Sequence, residues 1–217
     1  MPFDLGFSDD IRKPLLWAID NRNDTALDHA LAVPVDLNEP GNEGVTLLIY
    51  TLSKRYLYGV RRLIEAGANP NYIGPKGDSA VTLSAGADDP RLLSTVLAGG
   101  GDPNLKDGCG EPSTFVAARQ RRWENVEALL DAGAHLEARD VNDETLLLTL
   151  ALRREFEQAV ALLERGADPS AQNRIGVTLA HRLQLPQLIR DAERETWRQT
   201  LIEMLHEVGV PVPPNRD

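Results

Sequence analysis

Glycines recur at a fixed interval. Gly67, Gly100, Gly133 and Gly166 stand 33 residues apart, and Ala68, Ala134 and Ala167 follow three of them. A fixed period of this length is the signature of a solenoid, in which each repeat is one supersecondary unit that buries its apolar face only against its neighbours. The chain is therefore expected to form a single elongated domain, residues 1–217, with binding as its business.

The period aligns more than the glycines. Gly44-Val45-Thr46-Leu47-Leu48 returns as Gly77-Asp78-Ser79-Ala80-Val81, Gly110-Glu111-Pro112-Ser113-Thr114, Asp143-Glu144-Thr145-Leu146-Leu147 and Gly176-Val177-Thr178-Leu179-Ala180. The second half of each repeat is a Leu-rich run with apolar residues at i, i+3 and i+4, as in Val126-Glu127-Ala128-Leu129-Leu130, which predicts a helix packed on one side. The glycine stands where a helix C-terminus needs a left-handed residue. Beyond it, Asn69-Pro70-Asn71, Asp102-Pro103-Asn104 and Asp168-Pro169-Ser170 supply prolines that end the helix and polar residues that suit a turn.

Each repeat thus reads as a short helix headed by Thr or Ser, a tight connection, a second helix, a glycine stop and an extended turn. With Gly-x-Thr at 44–46 and 176–178, Leu-Leu late in the second helix and Gly-Ala-Asn-Pro-Asn at 67–71, this resembles the ankyrin repeat. The resemblance implies an all-α solenoid of about six helix-turn-helix units, at about 11–43, 44–76, 77–109, 110–142, 143–175 and 176–210, with a loose tail at 211–217. The family's Thr-Pro-Leu-His tetrapeptide is degraded here to Thr178-Leu179-Ala180-His181 and Lys13-Pro14-Leu15-Leu16. Backward, Val35-Asp36-Leu37-Asn38 takes the place of Ala68-Asn69-Pro70-Asn71 and marks an N-terminal capping repeat. Forward, the glycine due at 199 is displaced to Gly209, an insertion of about ten residues. It falls within 185–196 and is expected to lengthen the last repeat's second helix, with Pro186 in its first turn.

Charge and composition exclude several roles. With 33 acidic against 23 basic residues, the formal charge of −10 disfavours nucleic acid and anionic membranes. No leader-like segment opens the sequence and no run is long enough to span a bilayer, so the chain as written is expected in the cytoplasm, or in the periplasm if a leader peptide was removed. No cofactor is expected. The histidines, His29, His135, His181 and His206, fall in different repeats without metal-ligand spacing. His181 is expected to bond the local turn backbone, and Cys109 lies in a turn without a nearby base. Asp88-Asp89-Pro90 and Asp9-Asp10 read as helix N-caps. Gly99-Gly100-Gly101, with Gly86, makes the third repeat the expected weak point of the stack. Trp17, Trp123 and Tyr50 are expected in the core; Tyr56, Tyr58 and Tyr72 are free to join a partner surface.

By the resemblance, the turns and first-helix ends form the concave binding face. The projecting turn residues are then Asn42 and Glu43, Pro75 and Lys76, Gly108 and Cys109, Val141 and Asn142, and Arg174 and Ile175, joined by helix-end residues such as Ser53, Lys54, Gly86, Arg119, Leu152 and Arg153. Lys54, Arg55, Arg119, Arg121, Arg122, Arg139, Arg153 and Arg154 lie close in repeat register, while Asp4, Asp9, Asp10, Asp20, Asp24 and Asp28 crowd the first repeat. The partner-binding set is therefore expected to be Lys54, Arg55, Lys76, Arg119, Arg122, Arg139, Arg153, Arg154 and Arg174, facing an acidic protein surface that suits bidentate arginine. Solvation of helix ends by arginine explains the same pattern without a partner. The chain also resembles the small ankyrin proteins with which bacteria neutralise toxic effectors, including type VI secretion effectors. That implies a monomeric, non-catalytic immunity protein; a general adaptor is the alternative, and a hydrolase using Cys109 a remote one.

Overall fold

The computed structural model describes residues 12–41, 43–184 and 191–212. The described residues form twelve α-helices, with isolated bridges at Lys106–Pro112 and Arg139–Thr145. The chain packs as two compact units, Met1–Ala134 and His135–Asp217. In the first, helices pair as α1 (Lys13–Asp20) with α2 (Asp24–Leu31), α3 (Leu47–Ser53) with α4 (Leu57–Glu65), α5 (Ala80–Ala85) with α6 (Pro90–Ala98) and α7 (Ser113–Arg119) with α8 (Trp123–Asp131). The second holds α9 (Leu146–Leu152) with α10 (Phe156–Glu164) and α11 (Leu179–Leu183) with α12 (Ala192–Glu207). The expected all-helical repeat architecture is therefore present.

One register position starts the first helices. The side-chain oxygens of Thr46, Ser79, Thr145 and Thr178 accept from the backbone N–H three residues on, satisfying donors that the helix leaves open. Pro112 takes that place in the fourth repeat, and the neighbouring Ser113 hydroxyl instead donates to the Leu105 carbonyl at 2.7 Å. His181 accepts from the Thr178 N–H through Nδ1 at 3.1 Å, the expected turn bond.

The glycine ladder ends the second helices. Gly67, Gly100, Gly133, Gly166 and Gly209 are left-handed, with φ from 77° to 100°. The next residue's N–H returns to a carbonyl inside the helix, as from Ala68 to Leu63 at 2.9 Å and from Val210 to Leu205 at 2.8 Å, so orphan acceptors are met. Gly209 is thus a true stop, and the insertion lengthens its helix: α12 has 16 residues where α10 has 9. The helix begins at Ala192, capped by Asp191. Pro186, Asp9, Asp10, Asn42 and residues 213–217, all assigned roles from sequence, lie outside the described residues.

In the turns beyond the second helices of the first repeats, an asparagine ties one repeat to the next. Asn38 donates to the Gly67 carbonyl at 3.2 Å and accepts from the Asn69 N–H at 2.7 Å; Asn71 does the same with Gly100 and Asp102, at 2.9 and 2.7 Å. The turn asparagines therefore also couple repeats, a role the composition of a turn does not reveal.

The third repeat, the expected weak point, is held by contacts that its own sequence does not reveal. Its first helix, α5, is short, but Asn125 of α8 reaches back and donates to the carbonyls of Ser84, Ala85 and Ala87 at 3.4, 2.9 and 3.0 Å, closing that helix end. Gly99 is a close-packing site, because a Cβ there would overlap the Ile64 side chain. Asp89 caps α6 as expected, accepting from the Arg91 N–H at 3.1 Å. Asp88 does something else, pairing with Arg55 and Arg122.

Between the two helices of four of the repeats the chain reverses through an arginine. Arg22, Arg55, Arg121 and Arg154 hold φ of 47°, 52°, 57° and 61° at the same register position. A left-handed non-glycine residue costs about 1–2 kcal/mol, and glycine's larger unfolded-state entropy returns about 0.5–1 of that. Arg154→Gly is therefore expected to stabilise the fold by about 0.5–1 kcal/mol, read as a higher urea midpoint at unchanged slope; a lower midpoint would show that the arginine side chain outweighs its backbone strain.

Candidate functional site

The turns between repeats are built as rigid supports. Asp107 Oδ1 accepts from the N–H groups of Cys109 and Glu111, each at 2.9 Å; Asp140 holds Asn142 and Glu144 at 2.8 and 2.9 Å, and Asn173 holds Ile175 and Val177 at 3.1 and 2.9 Å. Each turn closes through a left-handed residue, Gly44, Gly77, Gly110, Asp143 or Gly176. Fixed turns carry exposed side chains at low entropic cost on binding. Among them are Ile175, 83% exposed, and Val141, as well as Cys109.

In the N-terminal unit the turns and first helices enclose a groove of about 340 Å³, walled by Val45, Ile49, Tyr50, Pro75 and Leu83, with Glu43, Ser53, Lys76 and Asp78 at its edge. Sequence register anticipated Glu43, Ser53, Pro75 and Lys76. It missed the apolar wall. Trp17, Tyr50 and Leu83 share one first-helix position, and Trp17 is 56% exposed because α1 buries Leu15, Ala18 and Ile19 on its other side. Tyr50 and Trp123 are half-buried, so none of the three expected core aromatics is fully enclosed. The same register carries Val116, Thr149 and Arg182. A position that accepts threonine and arginine is not a core position, and that was the legible signal. In the C-terminal unit, Arg182 at this position pairs with Glu144 at 2.6 Å, and Asn173 donates to the same carboxylate oxygen at 2.7 Å.

Among the described residues of the acidic first repeat, Asp20, Asp24 and Asp28 are bonded from within. Tyr50 donates to Asp20 at 2.5 Å, while Lys54 pairs with Asp20 at 2.8 Å and lies 4.8 Å from the Tyr50 ring centre. Burial pushes the Asp20 carboxyl up, but bonds from Lys54 and Tyr50 win and hold it below the usual range. Tyr58 and Arg62 do the same for Asp28, donating at 2.7 and 2.6 Å. Tyr56 is 5% exposed and donates to Asp24 at 2.6 Å; burial, then that bond, pushes its phenol up. Tyr56 is thus core and not partner surface, since its hydroxyl has a carboxylate one repeat away. Asp20, Asp24 and Asp28 are correspondingly engaged by the second repeat.

The predicted basic set divides between the two units. In the N-terminal unit Lys54 holds Asp20, Arg55 and Arg122 share Asp88, and Arg119 pairs with Glu111, whereas Lys76 is exposed and makes no ion pair among the described residues. In the C-terminal unit Arg139 donates to the carbonyls of Asp143 and Gln172 at 2.8 and 2.7 Å, and Arg174 to that of Val141 at 3.0 Å; Arg153 and Arg154 are exposed. With acids in excess, most of these cations find carboxylates or carbonyls at home. Among the described residues no group of three or more His, Cys, Asp or Glu side chains could hold a metal ion, and no helix is long and apolar enough to cross a membrane.

No protein-family model matches the chain. The ankyrin repeat domain of an Acinetobacter baumannii protein superposes with a TM-score of 0.75 at 23% identity, covering 90% of this chain and 97% of that one. Bovine cyclin-dependent kinase 4 inhibitor B is 30% identical over 105 residues, 46% of this chain and 76% of that protein. The chain belongs to the ankyrin-repeat family. Protein PhlB of Serratia liquefaciens is 32% identical to this ankyrin-repeat chain over 120 residues, 55% of this chain and 53% of PhlB. The human kinase inhibitor is 34% identical over 86 residues, 37% of this chain and 59% of that protein. The ankyrin-repeat chain thus spans little more than half the length of these two relatives.

Proposed function

We propose that this chain is a non-catalytic protein-binding module, and that its partner is a secreted toxic effector, of the type VI class, which it neutralises in the manner of a bacterial immunity protein. The observation that carries the binding role is one apolar register, in which Trp17 and Leu83 are exposed and Tyr50 half-buried, with Tyr50 and Leu83 walling a groove whose turns are fixed by backbone hydrogen bonds. Large apolar side chains presented on a rigid frame are the anchors of protein interfaces, and charged side chains form the rim. Lys54, Arg55, Lys76, Arg119 and Arg122 supply that rim in the N-terminal unit, and Arg139, Arg153, Arg154 and Arg174 are the basic positions of the C-terminal unit; paired arginines exchange an internal carboxylate for one on an acidic partner surface. Relatives named as inhibitors of a protein kinase support a role exerted by binding another protein.

Affinity capture from lysate of the source organism tests the reading. One partner held at subnanomolar Kd (roughly −12 kcal/mol or stronger), whose toxicity disappears on co-expression, is the expected result, and Cys109→Ser leaves it unchanged. Several weak partners, none of them toxic, would instead make the chain an adaptor.

A further inference from the structure

Resting on the reading of this chain as a protein-binding module, we propose that the N-terminal groove takes one bulky apolar side chain from a partner segment that carries a basic residue beside it. The walls, Val45, Ile49, Tyr50, Pro75 and Leu83, demand an apolar occupant. Its size follows from the helices behind it. The groove is one repeat wide, with α3 packed against α5, and packed helices stand about 8–10 Å apart, whereas a whole helix with its side chains is about 10–12 Å across. A single side chain enters such a notch and a whole helix does not.

The edge charges select what flanks that side chain. Glu43 and Asp78 line the groove and form no ion pair among the described residues, while Lys76 is the cation at the same edge. The neighbouring acid, Asp20, is already matched by Lys54 and Tyr50. Two carboxylates therefore face one ammonium, and an incoming lysine or arginine completes the balance where an incoming carboxylate adds repulsion.

Three blocked peptides decide the matter: Gly-Arg-Trp-Arg-Gly, Gly-Glu-Trp-Glu-Gly and Gly-Arg-Ala-Arg-Gly, titrated to millimolar concentration into the full isotope-labelled chain. The first is expected to shift the backbone amide resonances of Gly44, Tyr50, Gly74 and Leu83 saturably. The second should bind about ten-fold more weakly and converge with the first as salt is raised, and the third should shift none of them. The double variant Glu43→Gln, Asp78→Asn, with native ellipticity, should bring the two tryptophan peptides within about two-fold of each other. Equal binding of both tryptophan peptides to the native chain, equal binding of the alanine peptide, shifts confined to other residues or no saturable shift overturns the proposal. A captured partner that binds Leu83→Asp as tightly as the native chain also overturns it while leaving the module reading intact; peptide binding without any protein partner does the reverse.

Discussion

Asn125→Ala is expected to lower the stability of the N-terminal unit by about 2–4 kcal/mol, as large a loss as truncating a core leucine. Asn125 is 1% exposed, and its amide is the donor for the carbonyls of Ala85 and Ala87; Ser84 keeps a second donor in the Ala87 N–H. Removing the amide leaves two acceptors without their bond, at about 1–3 kcal/mol for a buried group, and adds a small cavity. Its own Oδ1 accepts no hydrogen bond among the described residues, so the side chain acts here through what the amide donates. The register equivalents Gly59 and Leu92 show that helix packing alone does not ask for asparagine there. Urea unfolding checks the figure. A loss below about 1 kcal/mol would mean that α5 closes without help.

Gly108→Ala should act through the turns. A Cβ at Gly108 would overlap the carbonyl oxygen of Lys76, and one at Gly77, where φ is 80°, would overlap the Gly108 backbone. The two turns thus meet backbone to backbone, and backbone cannot rotate aside as a side chain does. Overpacking of this kind costs about 1–3 kcal/mol, and here it also displaces Pro75 and Lys76, which wall and edge the groove. Both a lower thermal midpoint and weaker partner binding are expected. Cys109→Ala, one residue along at an exposed tip, should change neither; equal effects of the two substitutions would refute close turn packing as the cause.

Gly108 and Cys109 also show where sequence reading stops. Period arithmetic puts both in one projecting turn and cannot tell that one touches the neighbouring backbone while the other points into solvent. The ladder itself was fully legible, because a left-handed helix stop demands glycine, and it located Gly209 across an insertion. Starts were legible at Thr46, Ser79, Thr145 and Thr178 for the same reason, a local bond within one turn. Contacts between repeats were not. Asn71, Asn125, the Tyr56–Asp24 bond and the sharing of Asp88 by Arg55 and Arg122 join residues about 30 to 40 apart, and helical periodicity reports only which side of a helix is apolar. That is why Trp17 and Tyr50 read as core: an apolar residue at the margin of a helix face has the same spacing whether a neighbour or a partner covers it.

We propose that the chain works by binding a protein through the apolar register of its N-terminal unit. Calorimetric titration of the captured partner into the native chain and into Leu83→Asp, with Arg153→Glu in parallel, tests it most directly. The prediction is a loss of at least about thirty-fold for Leu83→Asp, the effect of an interface anchor worth about 2 kcal/mol, and a smaller loss for Arg153→Glu. Native affinity in the Leu83→Asp chain, with its fold intact by ellipticity, would contradict it.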